Sequence, residues 1–156
     1  MAKVRIEREW RLWLTLGVMA GLLVAYLWWV SRPPTEGGEP LWMVTKVLDP
    51  RTISVKGSGA TMQIRLIGLT IPPSQEQAVQ EFLTKTLTDQ WVRIKIFRDA
   101  TQGPKEGLVL LSGEDMVASL IRKGMAQTDR TETSLDVRPY LELEQEAKKE
   151  KRGIWR

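Results

Sequence analysis

The chain has 156 residues, of which 42% are hydrophobic, with 23 Lys+Arg against 19 Asp+Glu and a net charge of +4. It contains no cysteine and no histidine, which removes disulfides, thiolate and imidazole metal sites, His-ligated haem or pigment, Cys nucleophiles and any Ser-His triad. The positive excess is thin, +1 over residues 1–40 and +3 over the remainder, and reads as a solvated surface of mixed charge.

Residues 1–9 form a short tail carrying Lys3, Arg5 and Arg8. Residues 10–30, WRLWLTLGVMAGLLVAYLWWV, are nearly unbroken in apolar character, with Arg11 near the start. About 20 such residues in a helix cross the ~30 Å hydrocarbon core of a bilayer. The run is apolar all round rather than on one stripe, so a buried core helix does not fit it. It is longer than a typical signal-peptide core, and Ser31-Arg32-Pro33-Pro34 offers no small-residue cleavage site. The pattern predicts one uncleaved transmembrane helix. Trp10 and Trp13 at one end, and Tyr26, Trp28 and Trp29 at the other, suit the headgroup level as membrane-interface residues. Gly17, Gly21 and Ala25 recur every four residues and make a helix-packing groove. Bases are denser before the run than after it, which places the N-terminus in the cytoplasm and the following domain on the outer side.

Residues 31–40, SRPPTEGGEP, read as a linker, stiff at Pro33-Pro34 and loose at Gly37-Gly38. A soluble domain over 41–156 follows. Strands are expected at 41–48, 52–56 and 61–69, with turns at Asp49-Pro50-Arg51 and Gly57-Ser58-Gly59, and with Met62, Ile64 and Leu66 on one face. Pro72-Pro73 stops the third strand, and Ser74 is the expected N-cap of a helix over 75–88 with Ala78, Phe82, Leu83 and Leu87 facing inward. WVRIKIFRD (91–99) alternates Val92, Ile94 and Ile96 with Arg93, Lys95 and Arg98, so the basic stripe reads as the wet face of a strand. A short strand (107–111), a helix over Met116–Lys123 ended by Gly124, a polar loop (127–136) and a charged helix over 137–152 complete the chain. Five strands interleaved with two or three helices predict an α+β domain built on a small, partly open β-barrel.

Several of these segments carry a family pattern. VTKVLDPRTISV, IRLIGLTIPP, VRIKIF, EGLVLLSGEDMVASLIRKGMAQ and EQEAKKEKRGIW resemble, in order and spacing, the staphylococcal nuclease (thermonuclease) family over about residues 43–155. The helix from Met116 to Ala126 and the closing stretch from Ala147 to Trp155 are the most specific parts. The resemblance implies a five-stranded OB-type β-barrel.

It also implies a chemistry to check residue by residue. The family cleaves phosphodiesters with Ca²⁺ held by two carboxylates, a glutamate that activates water and two arginines on the phosphate. The D-G-D-T turn of active members reads Asp49-Pro50-Arg51-Thr52, so Arg51 stands in the place of a metal-binding Asp. The R-L-I-G-I-D-T-P-E motif reads Arg65 through Pro73, which keeps Arg65 but puts Thr70 at the second metal position and Pro73 at the general base. Glu106 stands where the second arginine of Y-G-R-G is found. The resemblance therefore implies a nuclease-like fold without catalytic residues, metal site or cofactor. Arg51, Arg65, Arg93 and Lys95 remain as candidate anion-binding residues.

The expected function is that of a non-catalytic, single-pass membrane protein, an accessory or structural subunit of a larger membrane complex. Its partners would be the lipid bilayer and other transmembrane subunits, with nucleic acid disfavoured. A membrane-anchored nucleic-acid-binding module, or a residual Ca²⁺-dependent nuclease, is the alternative.

Overall fold

Three successive strands, β1 (Leu41–Asp49), β2 (Thr52–Gly57) and β3 (Ala60–Leu66), form an antiparallel meander with Ile53 opposite Ile64 and Val55 opposite Met62. The structure is a computed structural model that describes residues 40–156. The expected tail 1–9, the membrane helix 10–30 with its Gly17-Gly21-Ala25 groove and aromatic ends, and the linker up to residue 39 lie outside the described residues. Among the described residues, no helix is long and apolar enough to cross a membrane.

Local chemistry sets the meander. Ser58 and Gly59 have φ of 48° and 79°, the left-handed pair of a tight hairpin turn whose twist matches that of the strands. β4 (Leu69–Thr70) follows, then a single 3-10 turn at Pro73–Gln75 and the helix α1 (Glu76–Leu87). The expected N-cap, Ser74, lies inside the 3-10 turn, and α1 begins without a side-chain cap. Prolines at 72 and 73 lack N–H groups, so fewer donors need capping there, and the Gln75 amide closes the turn on the Pro72 carbonyl at 2.8 Å. The inward stripe of α1 is Val79, Leu83 and Leu87, with Phe82 half-buried. Ala78, expected inside, is exposed. The helix is rotated by one position so that branched Val79, four residues before Leu83, takes the core-facing place.

β5 (Trp91–Arg98) pairs antiparallel with β1, Trp42 opposite Val92, and with β6 (Lys105–Leu111) on its other side. β6 in turn lies parallel to β3, with Ile64 opposite Lys105 and Leu66 opposite Gly107. These pairings close β1, β2, β3, β6 and β5 into a five-stranded barrel. The expected partly open barrel is thus closed. The rungs that close it involve Lys105 and Glu106, polar residues before the apolar run that marked the strand in the sequence. Ile96, expected inward with Val92 and Ile94, is 42% exposed. Ile96 keeps the register of Ile94, opposite Gly107, and is the last regular rung before a β-bulge between Ile96 and Arg98 adds a residue to β5.

The rest of the chain covers the barrel. β7 (Glu114–Asp115) leads into α2 (Met116–Arg122), whose N-cap Asp115 accepts a hydrogen bond from the Val117 amide at 2.8 Å. β8 (Gln127–Thr128), inside the expected polar loop, pairs with β4. α3 (Arg138–Lys149) docks on α2. The Tyr140 hydroxyl donates to the second carboxylate oxygen of Asp115, and burial followed by this hydrogen bond pushes the phenol pKa up. Glu144 on α3 is only 3% exposed. It is held as an anion by the Thr128 amide at 2.8 Å, by Lys148 and by Arg130 at 3.7 Å. A last 3-10 turn, Gly153–Trp155, folds back on the end of α2, where the Ile154 amide donates to the Gly124 carbonyl at 2.9 Å.

Candidate functional site

Arg51, Arg65 and Glu106, three of the family positions, lie together where β3 and β6 meet. Arg51 occupies the β1–β2 turn. Its amide donates to Asp49 Oδ1 at 2.8 Å, and its carbonyl accepts from the Leu66 amide at 2.7 Å, so the turn is tied to the end of β3. Its side chain is drawn in: Nη2 lies 3.5 Å from the Leu66 carbonyl oxygen, and Nε is buried without a partner. An unsatisfied buried donor costs free energy, so a nearby anion is favoured. One is supplied by Asp129, whose amide donates to the Gly68 carbonyl at 3.1 Å. Hydrogen bonds from Thr131 hold the Asp129 carboxyl below its ordinary pKa, and the Arg51 charge adds to them.

Arg65 stands in register between Thr52 on β2 and Glu106 on β6. Glu106 turns to β5 instead, where Arg98 Nη1 meets its Oε2 at 2.8 Å. Arg98 also donates to Glu132 and, at 3.3 Å, to Ser134 Oγ. The Glu132 side chain is 6% exposed and accepts from the Ser134 amide at 2.8 Å and the Ser134 hydroxyl at 2.6 Å. Burial pushes the Glu132 carboxyl up, but the Ser134 bonds and the Arg98 guanidinium outweigh it and hold the pKa at about 2. The Arg98 guanidinium is held protonated most strongly by Glu132. A Glu106–Arg98–Glu132 chain therefore ties β6, β5 and the loop before α3 together.

Thr70 is exposed on β4, and Pro73 is exposed at the first position of the 3-10 turn. Arg93 and Lys95 do not join Arg51 and Arg65. Arg93 sits on a rung with Leu41 and Leu110, and Lys95 sits opposite Leu108, so the four candidate anion-binding residues form two separate pairs. Among the described residues, no group of three or more Asp, Glu, His or Cys side chains is placed to hold a metal ion.

Asp129, Glu132 and Ser134, all within the expected polar loop 127–136, are also residues of the site. Their local bonding has a signal, an acidic residue followed two positions later by Thr or Ser, which each carboxylate caps. Their docking on Arg51 and Arg98 has none, because Arg98 and Glu132 are 34 residues apart.

This geometry gives a pH prediction. The folded pKa of Glu132 lies below its ordinary 4.5, so its contribution is complete above about pH 4.5 and is lost as pH falls toward about 2. Arg98 is half-exposed, and solvent screens part of the attraction. Between pH 5 and pH 2.5 the wild-type protein should lose about 1–2 kcal/mol more stability than Glu132→Gln. Urea titrations across that range check it, and parallel curves for the two proteins would refute it.

A five-stranded barrel closed in the order β1-β2-β3-β6-β5, with α1 between β3 and β5, is an OB-type α+β fold. Residues 63–156 match the family described as Staphylococcal nuclease homologue. The chain belongs to that family, as its closing motifs implied. A comparison with curated proteins finds no match.

Proposed function

We propose that this protein is a non-catalytic member of the staphylococcal nuclease family that serves as an accessory subunit of a larger membrane complex. Residues 10–30 anchor it, with the N-terminus cytoplasmic and the barrel at the outer membrane surface. The observation that carries the non-catalytic reading is the Glu106–Arg98–Glu132 chain. A carboxylate stands at the place of a phosphate-holding arginine, and it is already neutralised from within the fold.

The donor set supports the same reading, because it does not fit calcium. Ca²⁺ takes about 6–8 oxygen ligands, mostly carboxylates and carbonyls. At the family's metal positions this chain has the Arg51 guanidinium and a single hydroxyl, Thr70, and at the general-base position it has Pro73. The carboxylates nearby are engaged by Arg98, Ser134 and Thr131. A divalent cation beside a fixed guanidinium would lose several kcal/mol of attraction even with strong screening.

Native gels of the detergent-solubilised chain test the subunit reading. Migration with stoichiometric membrane proteins is expected, and migration as a free 17.8 kDa species would overturn it. Incubation with DNA and millimolar Ca²⁺ tests the chemistry. No acid-soluble nucleotide should appear, whereas release abolished by Arg65→Ala would establish an active nuclease.

A further inference from the structure

The first rungs of β1 and β5 carry a feature that neither the fold nor the family site uses. Leu41 is 52% exposed and Trp91 is 56% exposed, the two most exposed large apolar side chains among the described residues. They share one face of the sheet. Met43 is opposite Trp91 and Leu41 is opposite Arg93, which makes Leu41 and Trp91 diagonal neighbours within side-chain reach. The charges beside this pair on β2 and β5 have one sign. Lys56 lies opposite Met43 on β2, and Arg93 and Lys95 follow Trp91 at alternate positions of β5. The partners of Arg93 and Lys95 on β6 are Leu110 and Leu108, and the acid one strand further on, Asp115 opposite Leu110, is engaged by the Val117 amide and the Tyr140 hydroxyl.

We infer that this face is a membrane-docking surface for anionic lipid headgroups, an inference that rests on the anchored reading above. An indole and an isobutyl group side by side suit the interfacial zone, where Trp is favoured. Lys56, Arg93 and Lys95 around them suit a negatively charged leaflet. Its place in the chain agrees: Leu41 is the first residue of β1, directly after the linker. Ten linker residues, 31–40, span at most about 35 Å when fully extended. The patch therefore begins at the residue where the linker joins the barrel.

The absence of cysteine makes a direct test available. The full chain carries a single fluorophore at Thr61→Cys, an exposed site opposite Lys56 at the edge of the patch, or at Gln145→Cys, exposed on α3. Each is reconstituted in phosphatidylcholine vesicles with or without phosphatidylglycerol, and quenching by headgroup-nitroxide lipid is read. The expected result is strong quenching at position 61 in anionic vesicles only and little at position 145. Arg93→Gln and Lys95→Gln should each lower the docked-to-undocked ratio about 5-fold. Trp91→Ala should abolish docking with an unchanged thermal midpoint, since the side chain is not part of the core.

If the chain fails to float with vesicles after an alkaline wash, the anchored reading falls. If it floats but both labels are quenched equally, or position 61 is indifferent to phosphatidylglycerol, the anchor stands and the docking surface is overturned. Shielding of position 61 by an oligonucleotide or a co-purified protein, without lipid dependence, also overturns it and assigns the face to that partner.

Discussion

Gly153→Ala should destabilise the domain by about 2–4 kcal/mol, because it removes the joint between the C-terminus and α2. Gly153 has φ +53°, and a Cβ there would meet the Gly124 carbonyl oxygen at 2.1 Å. Gly124 has φ +68°, and its own Cβ would meet the Arg152 carbonyl oxygen at 2.3 Å. The obstacles are backbone atoms on both sides, so no rotamer change relieves them. Undocking would also give up the Ile154–Gly124 hydrogen bond at 2.9 Å and the bond from Arg152 Nη1 to the Arg122 carbonyl at 3.0 Å. The Lys148 ammonium, 4.3 Å from the Trp155 ring centre, would lose its partner. Urea unfolding measures the effect, and a change below about 0.5 kcal/mol would contradict the close approach. Gly124→Ala should cost a similar amount. The double variant should cost less than the sum, since the second methyl acts on a segment already displaced.

Arg51→Asp combined with Thr70→Asp should create a calcium response that the wild-type chain lacks. The substitution removes the guanidinium and sets two carboxylates at the family's metal positions. Asp129 links these positions: its amide is bound to Gly68, two residues before Thr70, and its carboxyl feels Arg51. With a Kd of order 10⁻⁴–10⁻³ M, about 10 mM Ca²⁺ would stabilise the double variant by roughly 1–3 kcal/mol. Thermal unfolding with Ca²⁺ and with Mg²⁺ reads this directly. An equal calcium-dependent rise in the wild-type protein would show that Arg51 does not exclude the ion. Cleavage is not expected from the double variant, because Pro73 still supplies no general base and Glu106 remains tied to Arg98.

Both experiments act on features of different legibility. The residue types at 51, 65, 70, 73 and 106 were readable because each stands inside a local motif with a fixed spacing. What surrounds them was not. By its alternation Arg98 is one cation of a wet strand face, yet it is the centre of the Glu106–Arg98–Glu132 chain. Glu132 belongs to a polar loop, yet its side chain is nearly buried.

The strands, turns and stops of the barrel are legible in the chain, because these follow from neighbours a few residues apart. Alternation of Val92 and Ile94 with Arg93 and Lys95 records one buried and one wet face. Ser58-Gly59 accepts the left-handed turn, and Pro72-Pro73 cannot continue a strand. Three-dimensional packing alone sets that the barrel closes through polar Lys105 and Glu106, that Ile96 is exposed beside a bulge, and that Gly124 and Gly153 touch backbone to backbone. It also brought Asp129 and Glu132 onto two arginines of distant strands. Periodicity reports burial along one element. Closure, bulges and ion pairing depend on which distant segment arrives alongside, and that is set by the packing of the whole barrel rather than by any local pattern.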